Sequence, residues 1–158
     1  MKFRFESEIP PVVPMRLKIE TNCREHFAIL GWQQTSFSVE SNWYTGSCNL
    51  TTYTIEELLG TKIRALYQRK KGRDLYDLYH AFIKINMDKD AVIACYKKYM
   101  EFSVGSVPSQ KGFLLNIEEK IGDEYFIGDI IGLIRPIEDY DQSGAFRLLK
   151  KELIERMY

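Results

Sequence analysis

The hydrophobic period changes once along the chain. Residues 2–9, KFRFESEI, alternate strictly, with Phe3, Phe5 and Ser7 to one side and Lys2, Arg4, Glu6 and Glu8 to the other; this predicts a half-buried strand. Pro10, Pro11 and Pro14 interrupt the pattern, since proline cannot donate to a ladder. Residues 15–21, MRLKIET, alternate again, with Met15, Leu17 and Ile19 inward and Arg16, Lys18 and Glu20 outward. Gly31 marks a turn, and residues 37–39 and 49–53 read as two further strands joined through Trp43 and Gly46.

From Ile55 the spacing is helical. It predicts helices near 55–69, 73–85, 88–102, 109–121, 123–133 and 142–157, with Pro108 and Pro136 in breaks, Thr54 as an N-cap, and Ser109 and Asp141 as N-caps or N′ residues. Strands followed by helices predict an α+β fold: a sheet of about four strands in residues 1–53, then a helical bundle over residues 54–158. A charged, alternating strand at the very start leaves an edge that needs a partner. The favoured reading is that an N-terminal segment has been removed.

Composition narrows this only slightly. The 158 residues suffice for one domain with a real core, and 22 Lys+Arg against 22 Asp+Glu leave no global charge to attract a polyanion, so any such argument rests on local clusters. Ten tyrosines and the tryptophans Trp32 and Trp43 favour a packed core or a homodimer face. Cys23, Cys48 and Cys95, without a CxxC pair or a secretory signal, predict buried free thiols in a reducing cytoplasm. His26 and His80 are isolated and lack zinc-ligand spacing, and no apolar run reaches the length of a membrane span.

The candidate chemistry lies in residues 61–80, TKIRALYQRKKGRDLYDLYH. Ile55, Leu58, Leu59, Ile63 and Leu66 share one helix face, and Lys62 sits inside it, four residues from both Leu58 and Leu66. An ammonium there must snorkel, pair with a carboxylate or meet an anionic ligand, because burying it alone costs several kcal/mol. Arg69 follows on the same line, whereas Arg64 points the other way and reads as a solvated surface residue. After the break at Lys70-Lys71-Gly72, a second helix carries Asp74 and Asp77 one turn apart. Lysine on one helix and two carboxylates on the next could bind phosphate and a metal, or form a structural ion-pair cluster at a helix–helix corner.

SEIPPVVPMRLKIETNCREHF, followed by FSVESNWYTGSCNLTTYTIEELLGTKIRALYQRKKGRDLYDLY, resembles the C-terminal half of the AbiEii/AbiGii-type toxin family, the nucleotidyltransferase-like proteins of bacterial abortive-infection and toxin–antitoxin systems. The resemblance implies the sheet's identity as the C-terminal part of a nucleotidyltransferase-like core. It also implies transfer of a nucleotide from a nucleoside triphosphate (NTP) to an acceptor, with tRNA 3′ ends among the acceptors of relatives, and a cognate antitoxin as partner. Carboxylates of such enzymes hold Mg²⁺ against the triphosphate. The family's lysine motif maps onto Lys62, with Arg69 and Arg73 as further phosphate contacts. Its aspartate motif maps onto Asp74 or Asp77; Asp74 is preferred because it lies beside Leu78 and Ala81, leaving Asp77 to pair with Arg73. Glu20 is a weaker candidate for a metal-facing carboxylate.

One departure matters. The family places a Gly-Ser turn and an Asp-x-Asp pair before these motifs, and neither appears in that order here; Asp139-Tyr140-Asp141 sits near the C-terminus without a preceding Gly-Ser turn. The expectation is therefore a Lys/Asp half that is inactive until completed by a missing N-terminal half. The alternative is a non-catalytic RNA- or antitoxin-binding module, with Lys62, Arg69, Lys70, Lys71 and Arg73 on phosphates and Tyr67 or Tyr76 stacking on bases.

Overall fold

The computed structural model describes residues 1–20, 25–134 and 140–158. The expectations for Thr21, Cys23, Pro136 and Asp139 lie outside those residues. Strands β1 (Lys2–Glu6), β2 (Pro14–Lys18), β3 (Trp32–Glu40) and β4 (Thr45–Tyr53) come first. Helices α1 (Ile55–Gln68), α2 (Gly72–Lys84), α3 (Lys89–Val104), α4 (Gln110–Ile121), α5 (Glu124–Ile131) and α6 (Gln142–Glu152) follow, with a final 3₁₀ turn at Ile154–Arg156. The α+β order stands, and strands give way to helices between Tyr53 and Ile55.

The four strands make two antiparallel hairpins, β1–β2 and β3–β4. The first closes through Ser7: its backbone N–H donates to Val13 O at 3.1 Å, and its Oγ accepts from the Val13 N–H at 2.9 Å. Strand β1 therefore stops at Glu6, short of residue 9. The half-buried character expected of this strand is not observed. Every position of β1 and β2 is exposed, including Phe3, Phe5, Met15 and Leu17; among the described residues the two strands pack chiefly on each other and no helix covers them extensively.

The second hairpin is much longer than its apolar residues suggested. Its extra length rests on polar cross-strand pairs that carry no hydrophobic signal: Gln34 Nε2 donates to Thr51 Oγ1 at 2.7 Å and Ser36 Oγ to Asn49 Oδ1 at 2.8 Å. Trp32 stacks on its cross-strand partner Tyr53 but remains 56% exposed, and Trp43 at the turn is 85% exposed, so neither tryptophan is core.

The core belongs to the helices. Thr54, Ser109 and Asp141 cap α1, α4 and α6 through their side-chain oxygens. Ile63 and Leu66 of α1, Leu75 and Leu78 of α2, Val92, Tyr96 and Met100 of α3, Phe113 and Ile117 of α4, Phe126 of α5 and Leu149 of α6 pack as one cluster. Two glycines allow the closest approaches. A Cβ on Gly60 would stand 2.7 Å from Cys95 Cβ of α3, and one on Gly72 would collide with the Phe126 carbonyl of α5. Cys95 is buried at that first crossing, whereas Cys48 is exposed on β4, contrary to the buried thiol expected there.

Candidate functional site at the α1–α2 corner

Lys62 lies on α1 at the border of the buried stripe rather than within it. Leu59, Ile63 and Leu66 are buried, while Leu58 faces solvent at 40% exposure. The Lys62 side chain is 30% exposed; its Nζ donates to Asp77 Oδ2 at 2.7 Å and to Asp74 Oδ1 at 3.4 Å. Lysine and both aspartates are thus brought together.

The two acids differ. Asp74 is fully buried, and Arg69 grips it with Nε on Oδ2 at 2.6 Å and Nη2 on Oδ1 at 2.7 Å. That planar, charge-assisted fork supplies what a buried carboxylate needs. Its hydrogen bond holds the Arg69 guanidinium pKa above the ordinary value, against the opposing effect of burial. Asp77 is 47% exposed and, among the described residues, its ion-pair partner is Lys62. A negative ligand could therefore take Lys62 from Asp77 while leaving the Arg69–Asp74 fork in place.

The remaining cations of the turn are also occupied. Lys70 pairs with Asp123 at 2.6 Å; Lys71 and Arg73 pair with Asp129 at 3.0 and 3.6 Å. Arg73 thus faces Asp129 of α5 and not Asp77, because the first turn of α2 rests on α5. The Lys70 bond lowers the Asp123 pKa, helped by the backbone N–H groups of Tyr125 and Phe126 that Asp123 caps. For Asp129, burial works upward but is outweighed by Lys71 and the Arg73 backbone N–H, leaving the pKa lowered. Neither acid was singled out in the sequence, because the partners are more than 50 residues apart.

Lys120 was missed for the same reason. It is 8% exposed and donates to the Leu66 and Tyr67 carbonyls at 2.6 Å each, closing the C-terminal end of α1. Burial pulls its pKa down to about 8. Arg64 is not the solvated residue expected from its position: its side chain is 16% exposed, paired with Glu25 and placed over the Tyr99 ring. Glu57, the first-turn acid, is fully buried and accepts from the Ile29 and Leu30 N–H groups at 2.8 and 2.9 Å and from Tyr99 Oη at 2.7 Å. It fastens the segment before β3 to α1 and α3. An acid in the first turn of a helix is ordinary, so nothing in the sequence around the Thr54 cap points to that bond.

Glu20 sits beyond β2, strongly exposed and paired with Lys18. Among the described residues no group of three or more His, Cys, Asp or Glu side chains could hold a metal. Both Asp74 oxygens already accept from cationic donors, so the corner's own residues do not fit Mg²⁺, which needs near-octahedral oxygen ligation. No helix among the described residues is long and apolar enough to cross a membrane.

A lysine between a locked and an exposed carboxylate, on an α+β frame, is a site where anionic phosphate can compete with an internal acid. Comparison with family models identifies the family. Residues 1–145 match the model described as nucleotidyl transferase AbiEii toxin, type IV toxin–antitoxin system, and the chain belongs to that family. The match runs through both hairpins and the helices, and does not by itself assign the chain to one half of the family's architecture. Membership implies a nucleotide substrate and an antitoxin counterpart. No curated protein and no solved structure matches the chain.

Proposed function

We propose that the chain is the Lys/Asp portion of a nucleotidyltransferase-like toxin that transfers a nucleotide from an NTP to an acceptor, with the 3′ end of tRNA as the acceptor class. The observation that carries this reading is the asymmetry at Lys62: its ammonium is 2.7 Å from a half-exposed carboxylate that a phosphate can displace, beside a buried carboxylate that Arg69 keeps in place. Lys62 then acts as a point charge on phosphate oxygens. Asp77 positions the ammonium before nucleotide arrives, and Asp74 with Arg69 fixes the spacing of α1 and α2.

Mg²⁺ enters this reading only with carboxylates of the Asp-x-Asp kind that the family resemblance implies, since the corner's own Asp74 is already occupied by Arg69 and Lys62. An RNA- or antitoxin-binding role for the same corner is less favoured, since Lys62, Arg69, Lys70, Lys71 and Arg73 are each engaged by an internal carboxylate. The test is nucleotide transfer with labelled NTPs, Mg²⁺ and total tRNA. The 158-residue chain alone should give no transfer; a chain completed with the Asp-x-Asp segment should give transfer that Lys62→Gln abolishes. Robust transfer by the 158 residues alone would overturn the two-part version, and an unimpaired Lys62→Gln variant would overturn the role of the lysine.

A further inference from the structure

A group of cations with little internal pairing lies on the β1–β2 ribbon. Register pairs Lys2 with Lys18 and Arg4 with Arg16, so like charges stand directly opposite each other at two pairs on one face. All four are exposed and border one hollow of about 190 Å³, which Phe3 and Leu17 also line. Glu20 pairs with Lys18 at one end and Glu6 lies at the other, but among the described residues Lys2, Arg4 and Arg16 have no carboxylate partner. Opposed like charges destabilise a strand pair, and a two-stranded ribbon is marginal to begin with. Edge protection favours lysine, but it does not call for two arginines or two lysines opposed across one strand pair, and mixed pairs would serve without that cost.

We infer that this face of the β1–β2 ribbon is a docking surface for a nucleic-acid backbone, with Lys2, Arg4, Arg16 and Lys18 contacting phosphates. Three partners fit a cationic patch, and the arrangement separates them. A protein interface needs an apolar or aromatic centre ringed by polar groups; Phe3 and Leu17 line the hollow but belong to the alternate strand positions, so the four cations do not ring them. A bilayer surface would engage apolar and cationic side chains together, but here Phe3, Phe5, Met15 and Leu17 point to the opposite face, because successive strand residues alternate. Phosphates ask only for a row of exposed cations, and the four side chains form such a row along one face of the ribbon. This places nucleic-acid contact well away in sequence from the α1–α2 corner. It extends the reading above by giving an RNA acceptor a surface to rest on, yet binding can be measured without any transfer.

The experiment is fluorescence anisotropy of the 158-residue chain with labelled tRNA and labelled single-stranded RNA across a salt series, with phosphatidylserine vesicles and polyaspartate in parallel. The variants are the quadruple Lys2→Gln/Arg4→Gln/Arg16→Gln/Lys18→Gln, the conservative pair Arg4→Lys/Arg16→Lys, and Lys70→Gln/Lys71→Gln. Circular dichroism confirms folding; removing opposed like charges from exposed positions should leave it intact. The wild-type chain should bind both RNAs with strong salt dependence. The quadruple variant should bind at least tenfold more weakly at low salt, with its log–log salt slope reduced by about 3, as the loss of four phosphate contacts dictates. The lysine-for-arginine pair should retain most of the binding, and Lys70→Gln/Lys71→Gln should bind within twofold of wild type. Absence of RNA binding at low salt, a slope unchanged in the quadruple variant, or equally tight binding to vesicles or polyaspartate would each overturn the inference.

Discussion

Arg69 and Asp74 meet across the break between two helices, five residues apart, through two parallel hydrogen bonds onto a carboxylate that no solvent reaches. Arg69 forms the C-terminal cap of α1 and Asp74 lies in the first turn of α2, so one ion pair sets the angle of the corner. Arg69→Met should strip Asp74 of all but its longer contact with Lys62. Breaking a buried pair typically costs 3–5 kcal/mol; with Arg69 half exposed and Lys62 remaining, a loss of about 2 kcal/mol in urea unfolding is expected. Asp74→Asn should cost a similar amount, whereas Asp77→Asn should stay within about 0.5 kcal/mol of wild type.

Substituting Lys62 separates a structural lysine from one that meets a ligand. Asp74 keeps its Arg69 fork in Lys62→Met, so stability should fall by less than about 1 kcal/mol. Nucleotide transfer by the completed enzyme should disappear. A loss of several kcal/mol with transfer intact would make the lysine a structural staple.

Glycine-to-alanine changes at the two close helix approaches and at an open position of α5 predict opposite outcomes. Gly72→Ala must drive α2 off the Phe126 carbonyl, and Gly60→Ala must part α1 from α3 at Cys95; each should cost about 1–3 kcal/mol, read as a lower thermal midpoint. Gly128, inside α5, has open space where a methyl group would stand, with no neighbouring atom within 4 Å, so Gly128→Ala should stabilise by about 0.5–1 kcal/mol.

Lys120 gives the chain a pH-dependent contribution of definite sign. Its folded pKa of about 8 lies below the ordinary 10.5, so between those values the unfolded chain holds a proton that the folded chain lacks. Stability attributable to Lys120 should therefore rise with pH from about 8 towards 10.5 and be flat below that window. Burial pushes the Cys95 thiol up to about 11, which acts oppositely above pH 9. Subtracting the unfolding free energies of Lys120→Met from those of wild type cancels that contribution, and the difference should climb from about pH 8 towards 10.5.

Glu57→Gln should loosen the β3–β4 hairpin from the helices while leaving the bundle folded. The amide that replaces one carboxylate oxygen opposes the N–H of Ile29 or Leu30, two donors facing each other, at a cost of about 1–3 kcal/mol. Hydrogen exchange at those two amides should accelerate, with little change at the α2–α5 contact.

The helices were legible because their apolar residues repeat at helical spacing and their caps carry oxygen side chains; Thr54, Ser109 and Asp141 each begin the helix expected of them. The length of β3 and β4 was not, since Gln34, Thr51, Ser36 and Asn49 join the strands through polar bonds that leave no periodic trace. At the corner, the nearness of Lys62 to Asp74 and Asp77 followed from helix spacing on either side of a short break. The destinations of Arg64, Arg73 and Lys120 depended on Glu25, Asp129 and the α1 carbonyls, which tertiary packing alone brings within reach.

Because the opening turn of α2 is seated on the peptide backbone of α5 at Gly72, the acids facing Lys62 inherit their location from a segment some fifty residues downstream. Natural variation in α5 that shifts the Phe126 peptide should therefore retune the corner as effectively as a substitution within it, and second-site suppressors of damaged corner variants should be sought along that short helix.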